Sequence, residues 1–230
     1  MSPGVLPPLP SVFQPLSLPR GEDALARAVT LAPSHGAGTL TWADDEDVLS
    51  AAVVLEPETA LEEARPALLA AAHAMADALL VLGPPEIPVT LRWPGTLVVN
   101  DGVVGKATMA IPADAQPGAV PAWIAVGVHL HLRGEAAEPG HDPGRTVLFE
   151  EGFAGIPVPE LIATWARHLM AGLAEWQGEG FHRLAEKTLA RLEPEDWMEG
   201  ARLRLDPVTG ALLLDREGTS TRHGLEAIAA

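Results

Sequence analysis

Apolar residues recur along this chain at two periods, and each period predicts a different element. From Gly21, GEDALARAVTLA opens with acids and then carries apolar residues at helical spacing, which predicts a short helix. Leu61, Leu68, Ala72, Met75 and Leu79 fall on one stripe and predict a longer helix packed on a sheet. Thr59 and Glu62 have the spacing of a capping box at its start, and Gly83-Pro84-Pro85 ends it. PVPELIATWARHLMAGLAEW repeats the pattern, with Leu161, Trp165, Leu169, Leu173 and Trp176 facing inward, and EGFHRLAEKTLARL continues as a further helix.

Between these helices lie runs of strand length. LSAAVVLEPE is apolar up to Pro57; VTLRW, LVVN and VVGKATMAI follow, with Asp101-Gly102 as the residues that accept positive φ in a two-residue hairpin turn. The mostly apolar run AWIAVGVHLHLR, residues 122–133, predicts a central strand. Residues 134–145, GEAAEPGHDPGR, read as a polar loop. After Glu193-Pro194 the pattern changes: ARLRLD and ALLLDRE flank the turn residues PVTG and predict a small β module. The first twenty residues are proline-rich and read as an extended arm. The expected organisation is an α/β chain: an arm over 1–14, a mixed sheet flanked by helices over 15–193, and a β-rich module over 194–230.

Composition narrows the chemistry. There is no cysteine among the 230 residues, which removes disulfides, thiolate metal sites and cysteine nucleophiles. The formal charge is −16, with Lys106 and Lys187 the only lysines, so long-range repulsion argues against nucleic acid and anionic membranes as partners. The N-terminus lacks a basic leading segment and an unbroken apolar run, and no later stretch reads as long and apolar enough to cross a bilayer; a soluble cytoplasmic protein is the expectation.

The stretch VVNDGVVGKAT, residues 98–108, ends like a phosphate-binding loop. Such a loop needs four residues between its glycines and a hydroxyl directly after the lysine. Here two residues separate Gly102 from Gly105 and Ala107 follows Lys106, so the hairpin reading prevails. Ser34 beside His35 lacks the glycine context of a nucleophile elbow. His129 and His131 leave one face of a strand and would bind a metal only with a third ligand such as Glu150; a packed histidine pair is the simpler reading.

The succession Arg92-Trp93-Pro94, the hairpin LVVNDGVVG, the strand WIAVGVHL and the helix EGFHRLAEKTLARL resembles the catalytic domain of biotin and lipoate protein ligases over roughly residues 15–192. The resemblance implies that family's mixed sheet flanked by helices, with a shortened C-terminal β domain. It also implies a small carboxylic acid of the biotin, lipoate or octanoate class as ligand, a carrier protein as acyl acceptor, and ATP with Mg²⁺ if the ligase chemistry is retained. In the family the acid is joined to the α-phosphate of ATP and then passed to a carrier lysine, and cations must offset the negative oxygens gathered in the first step.

The departures from the family pattern are specific. Its Lys-Trp-Pro-Asn-Asp stretch reads Arg92, Trp93, Pro94, Gly95, Thr96 here, keeping a cation and losing the carboxylate. Counting without gaps, its hairpin lysine falls on Val103 and its glycine on Lys106; side chains three apart on a strand point oppositely, so Lys106 reaches the site only if Gly105 forms a bulge. Its Gly-x-Gly-x-Asn strand reads Gly127, Val128, His129, Leu130, His131, with one glycine left to admit a ligand closely. Where the ligases have an Arg-Gly-rich loop between the first helix and the next strand, this chain has Asp44, Asp45, Glu46 and Asp47, either a solvated turn or a reversal of sign at a nucleotide site. The octanoyltransferase branch, which uses a cysteine, is excluded. The leading reading is a divergent family member that binds a small acid or acyl group without ordinary adenylation, Arg92 pairing the carboxylate, Trp93 packing the chain and Lys106 contributing. Beside it stand a working ligase or acyltransferase with relocated groups, and a non-catalytic interaction protein.

Overall fold

The central strands of one sheet are buried on both faces over most of their length, and the helices divide between those faces. The computed structural model describes residues 5–134 and 144–230, so most of the polar loop expected over 134–145 lies outside the described residues. In chain order the elements are β1 (Gln14–Leu18), α1 (Ala24–His35), β2 (Thr39–Ala43), β3 (Val48–Leu55), α2 (Leu61–Ala64), α3 (Ala67–Leu82), β4 (Val89–Arg92), β5 (Thr96–Val99), β6 (Gly102–Ile111) and β7 (Ile124–His131). They continue with α4 (Val158–Glu179), α5 (Phe181–Arg191), β8 (Arg202–Leu205), β9 (Leu212–Arg216), β10 (Thr219–His223) and β11 (Ile228–Ala229). The main sheet runs β1-β2-β3-β7-β6-β5-β4 with β11 added beside β6, and β8, β9 and β10 form a second sheet. β1 lies parallel to β2, whereas the steps from β2 through to β4 are antiparallel.

α3 and α4 pack on one face, over Leu40, Val53, Val126, Met109 and Leu97. α1 packs on the other through Ala24, Ala28 and Ala32, against Ala43, Ala52, Ala125 and Ala110. Small residues on both sides let α1 sit close to the sheet, and it covers β2, β3 and part of β7. The outward side chains at Lys106 and His129 are left exposed. Apolar residues of the second sheet, including Leu205, Leu212 and Leu214, belong to the same cluster as α3 and α4.

Several local expectations change. The capping box does not form: Ala60 precedes α2 without a side-chain cap, and the N–H groups of Leu61 and Glu62 donate to the carbonyls of Ala119 (2.9 Å) and Pro117 (3.0 Å). A distant loop supplies the acceptors that Thr59 was expected to supply. The two-residue turn is Asn100-Asp101, at φ 49° and 66°, with Gly102 already opposite Val99 in β6. The end of the proline-rich arm joins the sheet as β1, since Pro15 needs no donor on an edge strand. The helical span Leu61–Leu82 is, contrary to expectation, long and apolar enough to cross a membrane by length and composition, but 72% of its apolar window is buried inside the fold.

So deeply buried a helix must satisfy its one imidazole internally. His73 Nε2 donates to Thr188 Oγ1 (3.0 Å), whose hydroxyl donates to the Leu184 carbonyl (2.7 Å), while Arg191 donates to Nδ1 (3.3 Å) and pairs with Asp77 (2.8 Å). Burial first, and then the Arg191 charge, lower the His73 pKa to about 4. The native state therefore keeps His73 neutral while the unfolded chain protonates it near its ordinary value. The stabilisation is present above pH 6.5 and is lost as the pH falls toward 4, a change on the order of 3 kcal/mol. Urea unfolding at stepped pH should show this decline, and His73→Gln, which cannot titrate, should flatten it.

Candidate active site

Register aligns one row of residues across the sheet, exposed at Lys106 and His129 and buried at Ser50 and Ala43, where α1 covers it. Arg92 lies opposite Thr96, Thr96 opposite Lys106, Lys106 opposite His129, His129 opposite Ser50, and Ser50 opposite Ala43. Directly opposed residues share a face, so these six side chains form one row across five strand pairings. It faces away from α3, because Leu91, Leu97 and Ala107, its chain neighbours, lie in the core beneath that helix.

A bulge puts Lys106 in the row. Leu97 is opposite Gly105 but Val98 is opposite Val103, so Val104 is an extra residue and the pairing shifts there. Val103 and Lys106, three apart, therefore leave the same face. Only glycine fits at 105, where a Cβ would come within 2.1 Å of the His129 carbonyl and 2.7 Å of Leu130 Cα. The condition set on Lys106 by its sequence position is met, and its ammonium has no carboxylate partner among the described residues. Beyond the bulge β7 has ended, and residues 144–146 take its place: Val103 N–H donates to the Gly144 carbonyl (2.8 Å) and Thr146 N–H to the Val103 carbonyl (3.0 Å). This sets Arg145 beside Val103 on the same face. Sequence reasoning placed Arg145 at the end of a polar loop and missed it; nothing in its local sequence signals the bridge to β6.

The other predicted residues divide. His131 stands edge-on to His129, ring centroids 5.5 Å apart, and burial, then His129 and Arg145, hold its pKa below the usual value. Among the described residues no group of three His, Asp or Glu side chains is placed to hold a metal ion. Arg92 lies in the row but donates to Glu193 (2.9 Å), and Thr90 donates to the same carboxylate (3.4 Å). Trp93, joined to Pro94 by a cis peptide, packs against the core on the helix side. Gly127 lies under α1, where a Cβ would meet the Ala51 carbonyl oxygen at 3.2 Å and Leu25 Cβ at 3.4 Å, so its smallness admits the helix.

The acidic run Asp44–Asp47 is the turn between β2 and β3, one strand later than expected. Three of its four acids are within ion-pair distance of an arginine. Asp45 is 7% exposed, accepts the Asp47 N–H (2.9 Å) and pairs with Arg20 (3.4 Å); Arg20 also bonds Asp47, and Glu46 faces Arg133 at 3.9 Å. The run begins directly after Ala43, the end of the row, about 15 Å from Lys106 across three strand spacings.

The main sheet thus carries α3 and α4 on one face and α1 over part of the other, where Lys106 and His129 remain exposed, and comparison with known proteins says which family has this arrangement. Residues 6–190 match the Biotin/lipoate A/B protein ligase family, and the chain belongs to it. A biotin–acetyl-CoA-carboxylase ligase of Paracoccus denitrificans is 28% identical over 192 residues, covering 80% of this chain and 71% of that protein. A biotin protein ligase-like protein of unknown function from Silicibacter sp. TM1040 superposes with a TM-score of 0.81 at 27% identity, over 96% of this chain and 97% of its own. The Aquifex aeolicus biotin protein ligase, 16% identical, shares the fold with a TM-score of 0.70 over 92% and 95% of the two chains; it has also been solved in complex with biotin and ATP.

The bulge gives a direct test. Gly105→Ala should break the β6–β7 pairing and cost on the order of 3 kcal/mol in urea unfolding, with loss of the His129 and Leu130 amide protection in hydrogen exchange. Unchanged stability and protection would show that the strands do not approach this closely.

Proposed function

We propose that the chain binds a small carboxylic acid or acyl group on the open face of the sheet, and that it does so without the ordinary ATP-dependent adenylation of its family. The observation that carries this reading is Lys106, turned into the row by the bulge and left without a carboxylate partner among the described residues. Its ammonium and the nearby Arg145 guanidinium suit one carboxylate, with Thr96 offering a hydroxyl and His129 a ring N–H or lone pair. Arg92 is already neutralised by Glu193 and takes no part unless that pair opens.

ATP with Mg²⁺ fits these residues poorly. Thr96 stands where the family has a carboxylate, and the β2–β3 turn carries acids where the resemblance implies cations for a triphosphate, three of them, Asp45, Glu46 and Asp47, already paired with Arg20 or Arg133. A second reading, a working ligase with its lysine relocated, is favoured by the same bulge, because it restores a lysine to the face on which the family's lysine position, Val103, lies. The relatives bring biotin and carrier proteins into view as partners for either reading.

Calorimetry with biotin, lipoate and octanoate, without nucleotide, should show saturable binding of at least one acid. Lys106→Ala should weaken it by about tenfold, the effect of removing one charge-assisted contact, whereas Lys187→Ala, remote on α5, should not. Freeing Arg92 by Glu193→Gln should leave the affinity unchanged or raise it. Pyrophosphate exchange with ATP and each acid should not exceed a heat-treated control; exchange above it would establish the ligase reading instead.

A further inference from the structure

A large cavity lies on the side of the sheet opposite Lys106. It encloses about 930 Å³, within the range of small-ligand sites, between the ends of β3 and β7, the start of α3, the second half of α4 and the turn before β9. Val53 and Ile124 form its floor, and Leu173, Trp176 and Phe181 form one wall, the last two rings edge-to-face with centroids 6.4 Å apart. These wall residues are only half buried.

The charge at its mouth has one sign. Glu56, Glu58 and Glu63 line it, and no lysine, arginine or histidine among the described residues does. Glu56 accepts the Ala37 N–H (3.3 Å), but Glu58 and Glu63 are exposed and have neither an ion pair nor a hydrogen bond from a side chain. An apolar body is favoured by the walls, and an anion is disfavoured by three carboxylates with no counter-charge. Biotin, lipoate and octanoate are therefore the wrong sign for this cavity, and a phosphate is more so. Glu58 and Glu63 line the same cavity as Trp176 and Phe181, and both carboxylates and aromatic rings attract an ammonium.

We propose that this cavity is a second binding site, specific for an amphiphilic amine, with the apolar body against Leu173, Trp176 and Phe181 and the ammonium between Glu58 and Glu63. It is independent of the acid site, which lies on the other face of the sheet.

Octylamine, octanol and octanoate share one chain and differ only in the head group, so titrating each into ¹⁵N-labelled protein separates shape from charge. Octylamine should shift the amides of Leu173 and Phe181 and the Trp176 indole N–H saturably, about tenfold more tightly than octanol, and octanoate should not shift them. The double variant Glu58→Gln, Glu63→Gln alters two exposed, unpartnered side chains and so should fold normally. It should lower octylamine affinity to that of octanol while leaving octanol unchanged. Equal binding of all three ligands, retention of octylamine affinity in the double variant, or octylamine shifts confined to residues 96–108 would each overturn the proposal, as would no shift with any ligand.

Discussion

The approach of β6 to β7 at Gly105 is the contact on which the open face depends. A backbone without a Cβ lets the two central strands stay paired through an extra residue, with the His129 carbonyl lying where any side chain would have to be. The consequence is a change of phase. Before the bulge Val103 points outward, and after it Lys106 does, so a strand whose sequence would alternate its lysine away from Val103 returns the lysine to the same surface. Both ends of the contact are fixed by the core: Val104 and Ala107 are buried beneath α3 and α4, which leaves β6 no freedom to slip.

Electrostatics on that face follow from the same register. The row has a cation at its centre and an acidic turn at one end, and three of the turn's four carboxylates lie within ion-pair distance of guanidiniums from the segments after β1 and after β7. A carboxylate ligand near Lys106 is thus attracted locally and repelled at a distance in a chain of charge −16, and salt reduces the second effect more than the first. On the other face the balance is reversed, with apolar walls and unpartnered carboxylates at a cavity mouth. One sheet separates two environments of opposite preference.

The main architecture was legible in the chain because long apolar periods report burial directly. The stripe through Leu68, Met75 and Leu79, the inward residues of α4 and the central position of β7 all followed from spacing. The family was legible from the succession of Arg92-Trp93-Pro94, hairpin and strand, although no one motif is intact. Elements without such a period were missed: β2 is short and buried throughout, β1 is an edge strand inside a proline-rich arm, and β10 and β11 are too short to show alternation.

Composition and order alone determined the absence of thiol chemistry, the strong acidity, the helices and the family, since these depend on residue identity and local period. Tertiary structure alone decided which side chains meet. Trp93 packs against the core, Gly127 admits α1, Arg92 is taken by a glutamate one hundred and one residues away, and Arg145 crosses to β6. The physical reason is that a strand fixes only alternation. Bulges, long-range ion pairs and the packing of one helix over part of a sheet set which phase of that alternation faces the solvent.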